Sequence, residues 1–187
     1  MTSNGLEVTE ENNNVRVKTN AITRAVDLDI QVPVHTSMHV KTINGKEIVV
    51  EGVQGEVDAS NINGSVTLTG IVGSAVAHAL NGRVKVVFTS VDSQKPMSFS
   101  SMNGEIDLTF PASLKANVKI KNQNGEVYSD FEMKVAPSAQ PVVEQSGGKG
   151  MHKVKIERSF YATINGGGPE IQISNFNGSI LIRKGGQ

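Results

Sequence analysis

The sequence predicts an all-β chain. It reads as a β-solenoid or β-helix-like stack of short strands joined by Asn-Gly turns, with about 20 residues per coil. Three observations carry this. Val numbers 24 and Ile 14 against 7 Leu, and β-branched side chains suit a pleated surface better than a helix. Eight of the 16 Asn are followed directly by Gly, where uniform placement would give roughly one or two such pairs. The later Asn-Gly glycines recur at steps of 19, 18, 22, 21, 41 and 12, through Gly45, Gly64, Gly82, Gly104, Gly125, Gly166 and Gly178. Asn-Gly is favoured where two successive residues need positive φ, so each pair is expected to close a tight turn.

The segments between turns alternate with period two. Val57 and Ala59 alternate with Glu56, Asp58 and Ser60. Val66 and Leu68 alternate with Ser65, Thr67 and Thr69, and Val84, Val86 and Phe88 follow Gly82. Ile106, Leu108 and Phe110 alternate with Glu105, Asp107 and Thr109, and Ile171, Ile173, Ile180 and Ile182 continue the pattern. No apolar stripe of period 3.6 runs for ten positions, so little or no helix is expected. Gly45, Gly64, Gly82, Gly104 and Gly125 are expected along one edge. Val57, Val66, Leu68, Val84, Ile106, Leu108 and Ile120 are expected inside. Extra glycines at Gly55 and Gly73 mark a second turn in each unit.

Two longer units look alike. Val26–Pro33 leads to Asn44-Gly45, and Glu105–Pro111 leads to Asn124-Gly125. In each an alternating strand ends at a proline, which cannot donate to a ladder. The length fits a single domain, 1–187, with an N-terminal strand or cap region over 1–25, repeats over 26–184, and a Pro/Gly-rich loop insertion near 136–150. The terminal strand Ile180–Arg183 is expected to leave a stack end open, giving a route to a homo-oligomer through stack ends.

These residues carry a resemblance. The strand-to-Pro pattern at Val26–Pro33 and Ile106–Pro111 is one part. The phrases Asn63-Gly64-Ser65-Val66-Thr67-Leu68 and Asn103-Gly104-Glu105-Ile106-Asp107-Leu108 are another, and the ending Gly167–Ser174 running into Asn177-Gly178-Ser179-Ile180 completes it. Over roughly residues 26–184 the chain resembles the bacterial putative-adhesin family of β-repeat domains, a group of unknown function. The resemblance implies a β-solenoid-like stack in an exported or envelope-associated protein, with no catalytic residues to carry over. It places the chain outside the cytoplasm, in the periplasm, at the cell surface or secreted, although Met1–Asn14 is polar and acidic and is not a signal peptide as it stands.

Composition narrows the chemistry. Lys+Arg is 18 and Asp+Glu is 18, with no basic cluster, which argues against nucleic acid as partner. Cys is absent, which removes thiolate metal sites, Cys nucleophiles and disulfides. No run of about 18 apolar residues predicts a membrane span. His35 and His39 would suit a metal on a helix, but four residues of strand separate them by about 13 Å. His78 and His152 have no ligand-spaced partners, so no metal or cofactor is expected. Asn165-Gly166-Gly167-Gly168-Pro169 has no following Lys-Ser or Lys-Thr and reads as a turn rather than a phosphate loop. Six Phe, two Tyr and no Trp give little material for an aromatic binding platform.

Two function classes remain. The first is a non-catalytic surface or envelope module, an adhesin or interaction scaffold that binds a protein or glycan through an extended polar face including Asp58, Thr67, Thr69, Glu105 and Asp107. The alternative is a carbohydrate-active β-helix enzyme drawing on the recurrent acids Asp27, Asp29, Glu56, Asp58, Glu105 and Asp107. Alternation alone puts acids on a solvated face, and no nucleophile elbow or other catalytic motif accompanies them, so the chain reads as no enzyme, with no catalytic, cofactor-binding or metal residues. In this reading Gly104→Val costs more than Ser101→Val, because Gly104 is expected at positive φ.

Overall fold

The computed structural model describes residues 5–19, 26–136, 152–154 and 159–186. They fall into two compact units, Met1–Val32 and Pro33–Gln187. In the first unit, β1 (Leu6–Glu11) and β2 (Asn14–Thr19) pair antiparallel. Asn12 and Asn13 form the connecting turn at φ 52° and 61°, the left-handed pair that a two-residue hairpin needs. The alternating segment Val26–Val32 contains no strand, contrary to its pattern. Val26, Leu28 and Ile30 are exposed, so the alternation there has no described face to bury against.

The second unit is built on one hydrogen-bonded sheet of 14 strands among the described residues, curled so that two limbs enclose the core. Six chain segments each run up one limb, pass an Asn-Gly corner and continue on the other. They are β3 (Met38–Thr42) to β4 (Glu47–Glu51), β5 (Gln54–Asn61) to the first half of β6 (Ser65–Ala79), and the second half of β6 to β7 (Val84–Val91). Next come β8 (Met97–Asn103) to β9 (Ile106–Pro111), and β10 (Ala116–Asn124) to β11 (Val127–Ser129). After β12 (Met133–Val135), β13 (His152–Val154) and β14 (Phe160–Ile164), the last segment runs from β15 (Glu170–Asn177) to β16 (Ile180–Gly185). Strand β6 serves both limbs because it bends at Gly70 and Gly73, at φ 68° and 130°, with register shifts around Ile71.

Neighbouring segments pair in parallel, but not in chain order. β15 lies between β8 and β10, and β16 lies between β9 and β11. The expected open end at Ile180–Arg183 is therefore wrong: β16 is paired on both sides. The chain leaves β11, forms antiparallel strands that cover this end, and then threads back. β14 pairs with β10, β12 with β14, and β13 with β11. Antiparallel end strands of this kind blunt an edge that would otherwise invite pairing. The part of the expected insertion from 137 to 150 lies outside the described residues.

All seven residues expected inside are fully buried. Phe88 of β7 stacks on Phe110 of β9 at 5.1 Å between centroids, and both meet Phe99 of β8 edge-on at 6.3 Å. Because Phe99 comes from the opposite limb, this triad ties the two limbs together. Each such pair contributes about 0.5–1.5 kcal/mol beyond its buried area.

Candidate interaction surface

The Asn-Gly corners align in the order Gly45, Gly64, Gly82, Gly104, Gly178, Gly125. A Cβ on Gly64, Gly82, Gly104, Gly178 or Gly125 would collide with the carbonyl oxygen of the glycine before it in this series. The glycines are needed for close approach of successive corners. Gly45, Gly64, Gly82 and Gly104 do not take positive φ, so the expected left-handed turn is corrected there. Strands stacked about 4.8 Å apart leave no room for a side chain directed along the stack.

Each residue around the corner has a fixed job. The Asn before each glycine is exposed and joins an amide ladder. Nδ2 donates to the preceding Oδ1 from Asn63 to Asn44 (2.8 Å), Asn81 to Asn63 (3.0 Å) and Asn103 to Asn81 (2.9 Å). The series continues from Asn177 to Asn103 (2.8 Å) and from Asn124 to Asn177 (3.0 Å). A side-chain amide donates and accepts at once, which a carboxylate in its place could not do. At four of the six corners the residue three before the glycine is buried and tethers a corner carbonyl, whereas Ala79 before Gly82 has no side-chain donor. Asn61 donates to Gly45 O, Ser101 to Gly82 O, Asn175 to Gly104 O and Asn122 to Gly178 O. The Oδ1 atoms of Asn61, Asn122 and Asn175 are buried without a partner among the described residues.

The residues two and four before the glycine both face outward, in two adjacent rows. One row is Ile43, Ile62, Leu80, Met102, Phe176 and Gln123. Leu80 is 42% exposed, Met102 45% and Phe176 42%, although they are cross-strand neighbours. The other row is Lys41, Ser60, His78, Ser100, Ser174 and Lys121, in register through the parallel ladders. His78 Nδ1 and Ser100 Oγ share a hydrogen bond of 2.6 Å. From Ser60 to Lys121 the two rows line a shallow groove of about 470 Å³. The groove offers hydroxyls, an imidazole and an ammonium beside an apolar ledge. No carboxylate stands among its lining residues to complete a nucleophilic relay with His78.

None of the six recurrent acids lines this groove. Asp27 and Asp29 are exposed in the first unit. Glu56 binds Lys95 at 2.9 Å, and its hydrogen bond and charge hold the Lys95 ammonium above its usual range. Asp58 meets His39 at 3.0 Å, leaving His35 outside that pair. On the other limb Arg83 contacts Glu105 at 2.6 Å and Asp107 at 2.8 Å, and Arg183 reaches Asp107 at 2.9 Å. Asp107, whose side chain is 9% exposed, is thus held between two guanidinium groups. Thr67 donates to Glu47 at 2.7 Å. The side chain of His152 lies outside the described residues. Asn165-Gly166 forms a tight turn at φ 47° and 87°, anchored by Asn165 Nδ2 on the carbonyls of Ala112 and Leu114.

Sequence reasoning missed the exposed row at Leu80, Met102 and Phe176. Its signal was available, since these residues share one offset from the corner glycines.

Comparison with known proteins gives a family match. The model of the family Toastrack DUF4097 matches residues 2–159. No curated protein matches the chain. A crystal structure of a putative cell adhesion protein from Clostridium sporogenes aligns over 97% of this chain and 76% of its own, at 13% identity and a TM-score of 0.43.

Proposed function

The chain belongs to the Toastrack DUF4097 family, and from that premise we propose that it is a non-catalytic interaction module of the bacterial surface or envelope, binding an extended partner along the groove from Ser60 to Lys121. The observation that carries the reading is the row Ile62, Leu80, Met102 and Phe176. Three of its side chains are exposed across neighbouring strands, beside a row of hydroxyls and an imidazole. Contiguous exposed apolar surface rimmed by polar groups favours contact with a partner. A surface assembled from like corners spreads recognition over several strands instead of focusing it in one pocket. The recurrent acids support the same view, because Glu56, Asp58, Glu105 and Asp107 are each engaged by a Lys, His or Arg side chain away from the groove.

The test is saturable binding of the labelled full chain to isolated bacterial envelope and to arrayed polysaccharides and extracellular proteins. Leu80→Asp combined with Met102→Asp is expected to abolish binding while circular dichroism and the urea midpoint stay close to the parent. Glycoside turnover that disappears with one replacement among Glu56, Asp58, Glu105 and Asp107 would instead establish the enzyme.

A further inference from the structure

Asn-Gly is the dipeptide most exposed to self-modification, because the glycine nitrogen meets no side chain as it approaches the asparagine Cγ. Six such pairs stand in register here, and the amide ladder treats them unequally. Asn63, Asn81, Asn103 and Asn177 each donate through Nδ2 and accept through Oδ1. Two of the following glycines are held as well: Gly104 N–H donates to Asn177 O at 3.0 Å, and Gly178 N–H to Asn124 O at 2.8 Å. The two ends differ in kind. Asn124 donates through Nδ2, and its Oδ1 has no donor among the described residues. Asn44 is the reverse. Its Oδ1 accepts from Asn63 Nδ2 at 2.8 Å, and neither its own Nδ2 nor the Gly45 N–H is bonded among the described residues.

We propose that Asn44-Gly45 is a self-modification site, converting through a succinimide to aspartate and isoaspartate, and that the ladder suppresses the same reaction at the other five corner pairs. The Gly45 backbone nitrogen gives its proton to solvent base and forms a bond to Asn44 Cγ. Negative charge develops on Oδ1, where the Asn63 amide already donates, so that hydrogen bond strengthens as the intermediate forms. The Cγ–Nδ2 bond then breaks, and Nδ2 leaves with a proton from water as ammonia. Water opens the five-membered ring at either carbonyl. At an internal corner the leaving amide must first surrender its bond to the neighbouring Oδ1, and at Asn124 the carbonyl has no activating donor. The aspartate product still accepts from Asn63, so the ladder survives the change at this one rung.

The experiment is incubation of the full chain in mildly alkaline buffer, native and in urea, with peptide mapping by mass spectrometry and enzymatic detection of isoaspartate. In the native protein Asn44 is expected to convert about tenfold faster than Asn63, Asn81, Asn103, Asn124 or Asn177, and in urea the six rates should converge. Asn63→Ala removes the activating donor and frees the Asn81 amide from its acceptor. It should therefore slow Asn44 and speed Asn81. Native conversion at any internal corner as fast as at Asn44, or an Asn44 rate unchanged or raised by Asn63→Ala, overturns the proposal. If Asn63→Ala does not fold, the native rank order decides alone.

Discussion

The same dipeptide occurs in the corner stack and at Asn165-Gly166, for two different physical reasons. In the stack, Gly104 has no left-handed backbone; a Cβ there would run into the Gly82 carbonyl. At the β14–β15 turn, Gly166 has φ 87° and no atom within 4 Å of where its Cβ would sit. The asparagines differ in the same way. Asn103 has ordinary φ and both gives and receives an amide bond, whereas Asn165 is itself left-handed at φ 47° and spends its amide on the carbonyls of Ala112 and Leu114. Asn-Gly in this chain therefore signals two things: stacking, where space is short, and turning, where the backbone is bent. The two respond to mutation differently.

The sharpest break is one methyl group at each glycine. Gly104→Ala forces apart two backbones that are paired on both sides. It should cost about 3–5 kcal/mol, the upper end of single-site effects, and Gly104→Val should cost more. Gly166→Ala meets open space and costs only the left-handed strain of about 1–2 kcal/mol. Urea midpoints measure both, and equal losses would mean that one mechanism serves both sites. Ser101→Val is no neutral reference for Gly104, because Ser101 is buried and donates to Gly82 O at 2.9 Å.

The inner tether gives the next effect. Asn61→Ala leaves the Gly45 and Ser65 carbonyls without their side-chain donor and should lower stability by about 1–3 kcal/mol. Asn61→Ser should lose less, since Ser101 does the same job in the same row and a serine removes the unpartnered Oδ1. Calorimetric unfolding of the two variants checks the order, and a serine variant that loses as much as the alanine would show that amide volume, not donation, is what the corner needs.

Much of the fold was legible because period-two alternation and proline position respond to local physics. Ile106, Leu108 and Phe110 had to face one way, and Pro111 had to end the run. Strand order was not legible. Ile171 and Ile173 alternate much as Val118 and Ile120 do, and parallel neighbours with the same pattern are interchangeable on paper. Their order is set by the route the chain takes through the covering strands β12 to β14. Val26–Val32 shows the opposite limit, a strand pattern without a described partner. At the groove, the corner offsets announced which residues face outward. The ion pairs at Glu56 and Asp107 join residues 39 and 76 positions apart, a distance no local pattern reports.

The smallest effect tests whether the ladder has a direction. In Asn81→Asp the new carboxylate still accepts from Asn103 but cannot donate to Asn63, so one rung meets two acceptors at hydrogen-bond distance. Losing an exposed hydrogen bond of this kind costs about 0.5–1.5 kcal/mol. In Asn44→Asp the lost hydrogens had no described partner and the oxygen facing Asn63 is kept, so the change should be close to zero. Protonation supplies the second axis. The carboxyl that Asn81→Asp introduces, once protonated, is again a donor toward Asn63, so the deficit of that variant should shrink as pH falls through the carboxylate range near 4. Asn44→Asp should show no such recovery, because its carboxylate already accepts from Asn63 without a competing acceptor. Equal deficits at rungs 44 and 81, flat with pH, would mean that the amides merely lie side by side and that the polarity running from Asn124 to Asn44 does no structural work.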